Sequence, residues 1–506
     1  MTKKIALCFD GTSNQPSDAE QESTRSGGIE DDGITNVLKL HLMLGGSLHE
    51  GSGGGDQLSF YHPGVGTYGS KFRRIYNLAL SPPRLDVSSI IRAGIADIES
   101  VYEPGDEIFL FGFSRGAAIA RRFASVMTDF FARPVPIVRF VGVFDTVASF
   151  GLPNLDDDEK PVSDVFFENG GTIAGHIKEA LHIVSLDDRR KAFLPTLMNR
   201  DARVDEIWFP GVHSDVGGGF RLDGLSDLSL QYLLDEIERR NLGLRVLAPS
   251  EIDLDAVLPP DADYRIDLDD LLIEPNVFGI AHLQKRPLLT TGVTLTTREP
   301  RVNHDDRSSG DPPFVHWSVA ERIYGDPEYR PKALSGLTHE LVHPDGSIER
   351  VEGLSAHLKR GIRNLVSLKP GESREMTCRA HLKHNHSGIA LEAGAKYVFE
   401  IPPGQHWNDA SIQCGPEGWT RGDVQLGLRE VAIAVGEWRR RKSDANWFAL
   451  VGAIGPSEDE LFELTAHQKT PYEPKRTGEL CTFANDMLSR YANNSGSMRF
   501  TVTRQA

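Results

Sequence analysis

Cysteine is scarce in this chain: four in 506 residues (Cys8, Cys378, Cys414 and Cys481), with no Cys-x-x-Cys pair. That excludes a disulfide framework and points to free thiols made in a reducing compartment, leaving open one bridge among the last three. Long apolar runs are absent too, so no segment reaches the roughly 20 residues of a membrane-spanning helix. Basic charge is in deficit, with 55 Lys and Arg against 72 Asp and Glu and a net charge of -17. A field of that sign disfavours nucleic acid as a partner. The N-terminus carries Lys3 and Lys4 but meets Asp10 before a signal-peptide core forms, which predicts cytoplasmic synthesis and export by another route.

What is present is ordinary globular composition, 39% apolar and 25% charged, in a chain long enough for two to four domains. Apolar strand patterns at Ile5–Phe9, Leu58–His62, Glu107–Phe113, Ile137–Phe144 and Asp205–Val212 alternate with helical spacing at Ile34–Leu44, Val87–Tyr102, Gly116–Met127, Ile173–Val184 and Leu225–Leu244. This predicts an α/β fold with a mostly parallel sheet over residues 1–330, residues 220–330 forming a lid-like excursion. Residues 331–375 read as a connection. From 376 to 506 short alternating segments separated by turns predict an all-β sandwich, with strands at 397–401, 431–435, 447–454, 478–483 and 497–502.

Gly112-Phe113-Ser114-Arg115-Gly116 fits Gly-x-Ser-x-Gly, between an apolar strand and a helix opening with Ala117-Ala118. Small neighbours allow the strained turn that lifts a serine hydroxyl above a sheet, and the backbone N–H of Arg115 supplies an oxyanion donor. The Asp10 loop offers a second from Gly11 or Thr12, although it equally serves to tie the first strand to the sheet. A serine nucleophile needs a base, and that base needs an orienting carboxylate. The next strand end carries Asp145 and the one after it His213, in the chain order expected of this fold. Asp215 with His316 is a rival acid and base that keeps the same order.

Phe9-Asp10-Gly11-Thr12-Ser13-Asn14, Thr35-Asn36-Val37, Gly64-Val65-Gly66-Thr67, Gly112 to Ala117, Val143-Phe144-Asp145-Thr146-Val147 and Phe209 to Gly218 follow one another in the order of one family. The chain resembles the α/β-hydrolase lipase effectors of type VI secretion, the first antibacterial phospholipase class. The resemblance covers about residues 3–330 and implies a phospholipase A with Ser114 as nucleophile, Asp145 as acid and His213 as base, needing no cofactor for catalysis. It further implies a phospholipid substrate at a membrane surface, a secretion spike protein and a cognate immunity protein as partners, and delivery to the periplasm of a target cell. A carboxylesterase or deacylase on soluble or glycan-linked esters is the alternative enzyme. A carbohydrate-binding protein on a non-catalytic hydrolase scaffold is the alternative of another class.

The segment Asn485 to Gly496 gathers a carboxylate and two adjacent amides, hard oxygen donors of the kind Ca²⁺ takes. It resembles the calcium loop of the small galactose-specific bacterial lectin, with an echo in Gly415-Pro416-Glu417-Gly418. The resemblance implies Ca²⁺ held by Asp486, Asn493 and Asn494 with the carbonyls of Arg490 and Asn408, and a carbohydrate ligand; an Asn/Asp-rich hairpin turn is the plainer reading. Met487-Leu488 replaces that lectin's loop proline. Trp407, Trp419 and Trp447 form either a sugar platform or part of a sandwich core.

Overall fold

The computed structural model describes the chain outside residues 1, 13, 20–31, 50–54, 65–82, 132–134, 149–171, 263, 284–294, 327, 361–364, 423–439, 456–459 and 488–489. The expected strand at 431–435 and most of the Gly64–Thr67 motif lie outside the described residues. The chain divides into two compact units, one built from Met1–Gln21, Asp31–Arg322 and Arg330–Lys359, the other from Arg360–Ala506 with residues 22–30 and 323–329.

The first unit is an α/β fold on a nine-stranded sheet. Its strands are β1 (Lys4–Phe9), β2 (Gln57–His62), β3 (Glu107–Phe113), β4 (Ile137–Phe144), β5 (Ala180–Ser185), β6 (Val204–Phe209), β7 (Phe314–His316), β8 (Thr338–Val342) and β9 (Ile348–Glu352). They lie in the order β9-β8-β7-β6-β5-β4-β3-β1-β2, every pairing parallel except β8 with β9. The central strands are predominantly apolar because helices cover both sheet faces. One apolar core takes Leu7, Leu110, Val141 and Phe123; another takes Cys8, Phe111, Phe140 and Leu233. The helices serving the site are α1 (Asn36–Met43), α2 (Pro83–Val101), α3 (Arg115–Phe130), α4 (His213–Gly217) and α5 (Gly224–Arg239).

Three sequence expectations change. The stretch read as a helix at 173–184 ends in β5, whose six residues are all buried; so short an apolar run has no period to separate a central strand from a buried helix. Residues 331–375 are no plain connection, since β8 and β9 extend the sheet and α6 (Gly353–Arg360) follows them. The 220–330 excursion likewise contributes a strand, β7, between β6 and β8. Helix α5 stops at Arg239, where left-handed Asn241 and Gly243 turn the chain away.

The second unit holds two five-stranded sheets. One is β10 (Val366–Ser367), β12 (Asn385–Leu391), β18 (Gly478–Ala484), β16 (Leu450–Ile454) and β17 (Leu461–Glu463). The other is β11 (Ser373–Arg379), β19 (Asn494–Arg504), β14 (Trp407–Asp409) and β15 (Ile412–Cys414), with β13 (Tyr397–Glu400) also on β19. Pairing is antiparallel apart from β10 with β12. Side chains of both sheets share one core, among them Ile389, Leu450, Phe399 and Phe500, so the unit is a β-sandwich. Trp407, Trp419 and Trp447 are buried in that core and form no exposed sugar platform. All four cysteines are buried free thiols. Among the described residues no helix is long and apolar enough to cross a membrane.

Phe111, fully buried on β3 against Phe140, should cost about 3–5 kcal/mol when replaced by alanine, read as a lowered denaturation midpoint of the first unit.

Candidate active site

The C-terminal ends of β3, β4 and β6 carry Ser114, Asp145 and His213. Ser114 occupies the turn between β3 and α3 at φ 57°, ψ -121°. A non-glycine residue is held there only when its surroundings over-determine it, and the surroundings are tight. A Cβ on Gly116 would stand 2.1 Å from the Phe9 carbonyl oxygen, and one on Gly112 2.6 Å from that of Gly116. Backbone bonds close the turn: Ser114 donates its N–H to the Phe144 carbonyl at 3.0 Å and accepts from the Val147 N–H at 3.1 Å. Strand β4's exit is thereby tied to the nucleophile turn.

Asp145 also sits in a left-handed conformation, φ 40°, which Asp tolerates better than most residues. It is wholly buried. Its Oδ2 meets His213 Nδ1 at 2.5 Å, and its Oδ1 accepts from the Ser185 N–H at 3.0 Å. Buried Arg298 grips both oxygens, Nη1 to Oδ1 at 2.6 Å and Nη2 to Oδ2 at 2.9 Å, and donates further to the carbonyls of Ser185 and Phe193. Burial by itself would raise the Asp145 pKa; the charge of Arg298 and the bond to His213 hold it well below the usual carboxylate range.

His213 opens α4. Its N–H donates to Asp188 at 3.1 Å, and its ring lies between Phe113 and Phe193. Asp188 is in turn held by Arg190, whose guanidinium covers the Phe193 ring. Burial lowers the His213 pKa and Asp145 opposes the shift, with Arg190 adding to it and Asp188 working against it. Its Nε2 is buried with no hydrogen-bond partner among the described residues. The ring is therefore oriented through Nδ1 while the atom that takes a proton stays open, which suits a general base.

The rival pair is not brought together. His316 Nδ1 bonds Ser318, its ring stacks on Phe209, and burial pushes it down to about 3. The Asp215 carboxylate accepts from the Val212 and His282 N–H groups and from His282 Nδ1. The Asp10 loop does abut the nucleophile turn, through Gly11 against Phe113 and the carbonyls of Phe9 and Asp10 against Gly116. The Gly11 N–H, however, donates to the Asp10 carboxylate at 2.6 Å, which also accepts from Thr35 and Tyr61. Burial pushes that carboxyl up to about 6 against those bonds. Arg115 and Thr12 remain in the adjoining backbone.

In the second unit Asp486 Oδ2 accepts from Asn494 Nδ2 at 3.2 Å, and Asn493 Nδ2 donates to Asp409 at 3.2 Å. The Arg490 carbonyl accepts from the Asn493 N–H. Asn408 joins them from β14, which pairs with β19 through Asn408↔Ser495 and Asp409↔Asn494. Burial, then mutual repulsion with Asp486, lifts Asp409 to about 6, and burial lifts Asp486 as well. Asn494 Oδ1 is buried with no hydrogen-bond partner among the described residues. Two repelling carboxyls beside an orphaned amide oxygen fit a cation of the Ca²⁺ type.

Residues 3–131 and 124–236 match the family described as the type VI secretion system (T6SS) phospholipase effector Tle1-like catalytic domain. That stretch is similar to Tle1-like catalytic domains. It contains Ser114, Asp145 and His213, whereas Arg298 lies beyond the match. Among curated proteins, the uncharacterised YEL023C of Saccharomyces cerevisiae is 31% identical over 139 residues, 25% of this chain and 17% of that one. A solved structure, the Tle1 effector bound to the VgrG spike, is 23% identical, covering 44% of this chain and 51% of that chain at a TM-score of 0.28. Another, the EclA N-terminal domain, a PllA-like lectin, is 19% identical over 26% of this chain and 95% of that one, TM-score 0.19. The chain thus spans about a sixth of the yeast relative and half of the solved effector.

Arg298 is a candidate-site residue that the sequence did not reveal; one basic residue in a weakly periodic stretch gives no pattern to find. Its replacement in R298Q leaves Asp145 buried without countercharge, a change of about 3–5 kcal/mol in stability. The unbalanced carboxylate then favours protonated His213, so the titration of His213 should move to higher pH. R298K, which keeps the charge but not the two-pronged grip, should lose less on both counts. A pH profile with thermal melting of the three proteins checks this.

Proposed function

We propose that the Tle1-like domain is a serine esterase acting on acyl esters of glycerophospholipids, a phospholipase A. The observation that carries the reading is the His213 ring fixed by Asp145 on one side and open at Nε2 on the other, beside a strained serine turn. In this reading Nε2 takes the Ser114 hydroxyl proton as Oγ attacks the ester carbonyl. The Arg115 N–H, at the head of α3, faces the developing oxyanion. Protonated His213 then gives its proton to the departing lysolipid oxygen, leaving an acyl-Ser114 ester. Water, activated by the same nitrogen, releases the fatty acid and restores the serine. Asp145 stays ionised throughout, because Arg298 stabilises its charge.

The family match supports export through the type VI system; the reading adds a spike protein as carrier, action on membrane lipids from the periplasm of a target cell, and a cognate immunity protein in the producing cell. Fatty-acid release from mixed phospholipid vesicles tests the chemistry. S114A and H213A should fall by at least 10³-fold and D145N by at least 10²-fold, with H316A staying within about tenfold of wild type. Hydrolysis of short soluble esters without any release from vesicles would move the substrate to the carboxylesterase class. Full hydrolysis by S114A would sink the triad.

For the second unit, we infer a Ca²⁺ site in which Asp486, Asn493, Asn494 and the carbonyls of Arg490 and Asn408 are joined by Asp409, with a carbohydrate hydroxyl as the outer ligand. The orphaned Asn494 oxygen and the mutual repulsion of Asp409 and Asp486 support it. Bound Ca²⁺ neutralises that repulsion. Because both folded-state pKa values are raised, these two carboxyls contribute most to the stability of the ion-free unit below the ordinary Asp range, and Asp409's contribution is lost as pH rises through about 6. Melting at pH 7 should therefore shift upward by several degrees with millimolar Ca²⁺, and the shift should vanish in D486N.

A further inference from the structure

Cross-strand pairing in the second unit assembles a different kind of cluster from the calcium-type loop. On β12 and β18, His386 and Cys481 are direct partners in the antiparallel register. Glu479 stands two residues before Cys481 and therefore on the same face of its strand. His386 Nδ1 lies 2.9 Å from Glu479 Oε2 and 3.6 Å from Cys481 Sγ, and all three atoms fall within 4.8 Å of one another. The three side chains are almost wholly buried. Neither the esterase chemistry nor the calcium-type loop uses them.

We propose that His386, Glu479 and Cys481 form a binding site for a borderline divalent transition metal, Zn²⁺ being the natural occupant. The donor set of one imidazole nitrogen, one thiolate and one carboxylate suits Zn²⁺ and is wrong for Ca²⁺ or Mg²⁺. Its spacing fits as well. With ordinary zinc bond lengths a tetrahedral site has an N-to-S edge of about 3.6 Å and an N-to-O edge of about 3.3 Å. The first matches the observed separation; the second asks Glu479 to withdraw by a few tenths of an ångström, as it must when a hydrogen bond gives way to an ion.

Charge balance favours occupancy. A divalent ion with one thiolate and one carboxylate is neutral overall, the balance that suits a buried site. A ligating His386 presents Nδ1 unprotonated, with its proton on Nε2, and a ligating Cys481 gives up its thiol proton to solvent. One proton leaves per ion, so affinity rises with pH. The remaining Glu479 oxygen accepts from the Gly388 N–H at 2.8 Å. That donor comes from the register irregularity of β12 between His386 and Ala390, and it orients the carboxylate as outer partners orient ligands in metal sites. Three protein ligands leave a fourth tetrahedral position for water.

The test uses the full purified chain, stripped with a chelator and titrated with Co²⁺, then Zn²⁺. One equivalent of Co²⁺ should produce a thiolate-to-cobalt charge-transfer band, and one equivalent of Zn²⁺ should abolish it. Excess Ca²⁺ should leave the band unchanged, which separates this site from the calcium-type loop. C481A should lose the band, and H386A should weaken Co²⁺ binding at least tenfold; if C481A does not fold, H386A carries the comparison. Absence of the band in wild type, or its persistence in folded C481A, overturns the proposal and leaves a hydrogen-bonded His–Glu pair beside a thiol.

Discussion

A single buried carboxylate organises the catalytic edge of this protein. Asp145 sits at zero exposure in a left-handed turn, a position that a lone charge could not occupy. It is held there by a two-pronged guanidinium, a backbone amide and an imidazole. Each partner does something besides neutralising it. Arg298 draws the carbonyls of Ser185 and Phe193 to itself and so joins the ends of neighbouring segments. The Ser185 amide ties β5 to β4, and His213 is left with one free nitrogen. Remove the carboxylate and the base, the arginine and two loops lose their common anchor.

The same economy governs the serine. Its strained turn is closed by the backbone of the strand that ends in Asp145, so Ser114 and Asp145 are positioned by one set of main-chain bonds. Gly112 and Gly116 are required not for flexibility but because carbonyl oxygens of adjoining chain occupy the space a side chain would need. Burial then sets the chemistry. It lowers the His213 pKa, while Asp145 opposes the shift and the charges of Asp188 and Arg190 act in opposite directions.

The β-sandwich shows a different use of buried polarity. Its polar clusters sit on paired strands or at their ends, where register decides which side chains meet. Asp409 faces Asn494 and His386 faces Cys481 because antiparallel pairing sets them opposite. One cluster offers only oxygen, the other nitrogen, sulfur and oxygen, donor sets that suit different classes of cation.

The gathering of Ser114, Asp145 and His213 at one edge of the sheet was legible in the residues. Ser114, Asp145 and His213 each end a continuous apolar run, and a parallel sheet must bring such ends to one side. The α/β class followed from the same alternation of strands and helices. The six apolar residues of β5 did not declare themselves a strand, because a fully buried segment of that length has no amphipathic period. Arg298 stands 153 residues from Asp145 along the chain, in a stretch of weak periodicity; its role exists only once the chain returns to the sheet. Asp409 was invisible for a related reason, since only strand pairing sets it opposite the Asn494 segment. Local sequence determines which segments are strands, turns and caps, as their periodicity and steric needs are local. Which charges neutralise one another is decided by tertiary packing, because a buried charge is stable only beside a partner that distant chain delivers.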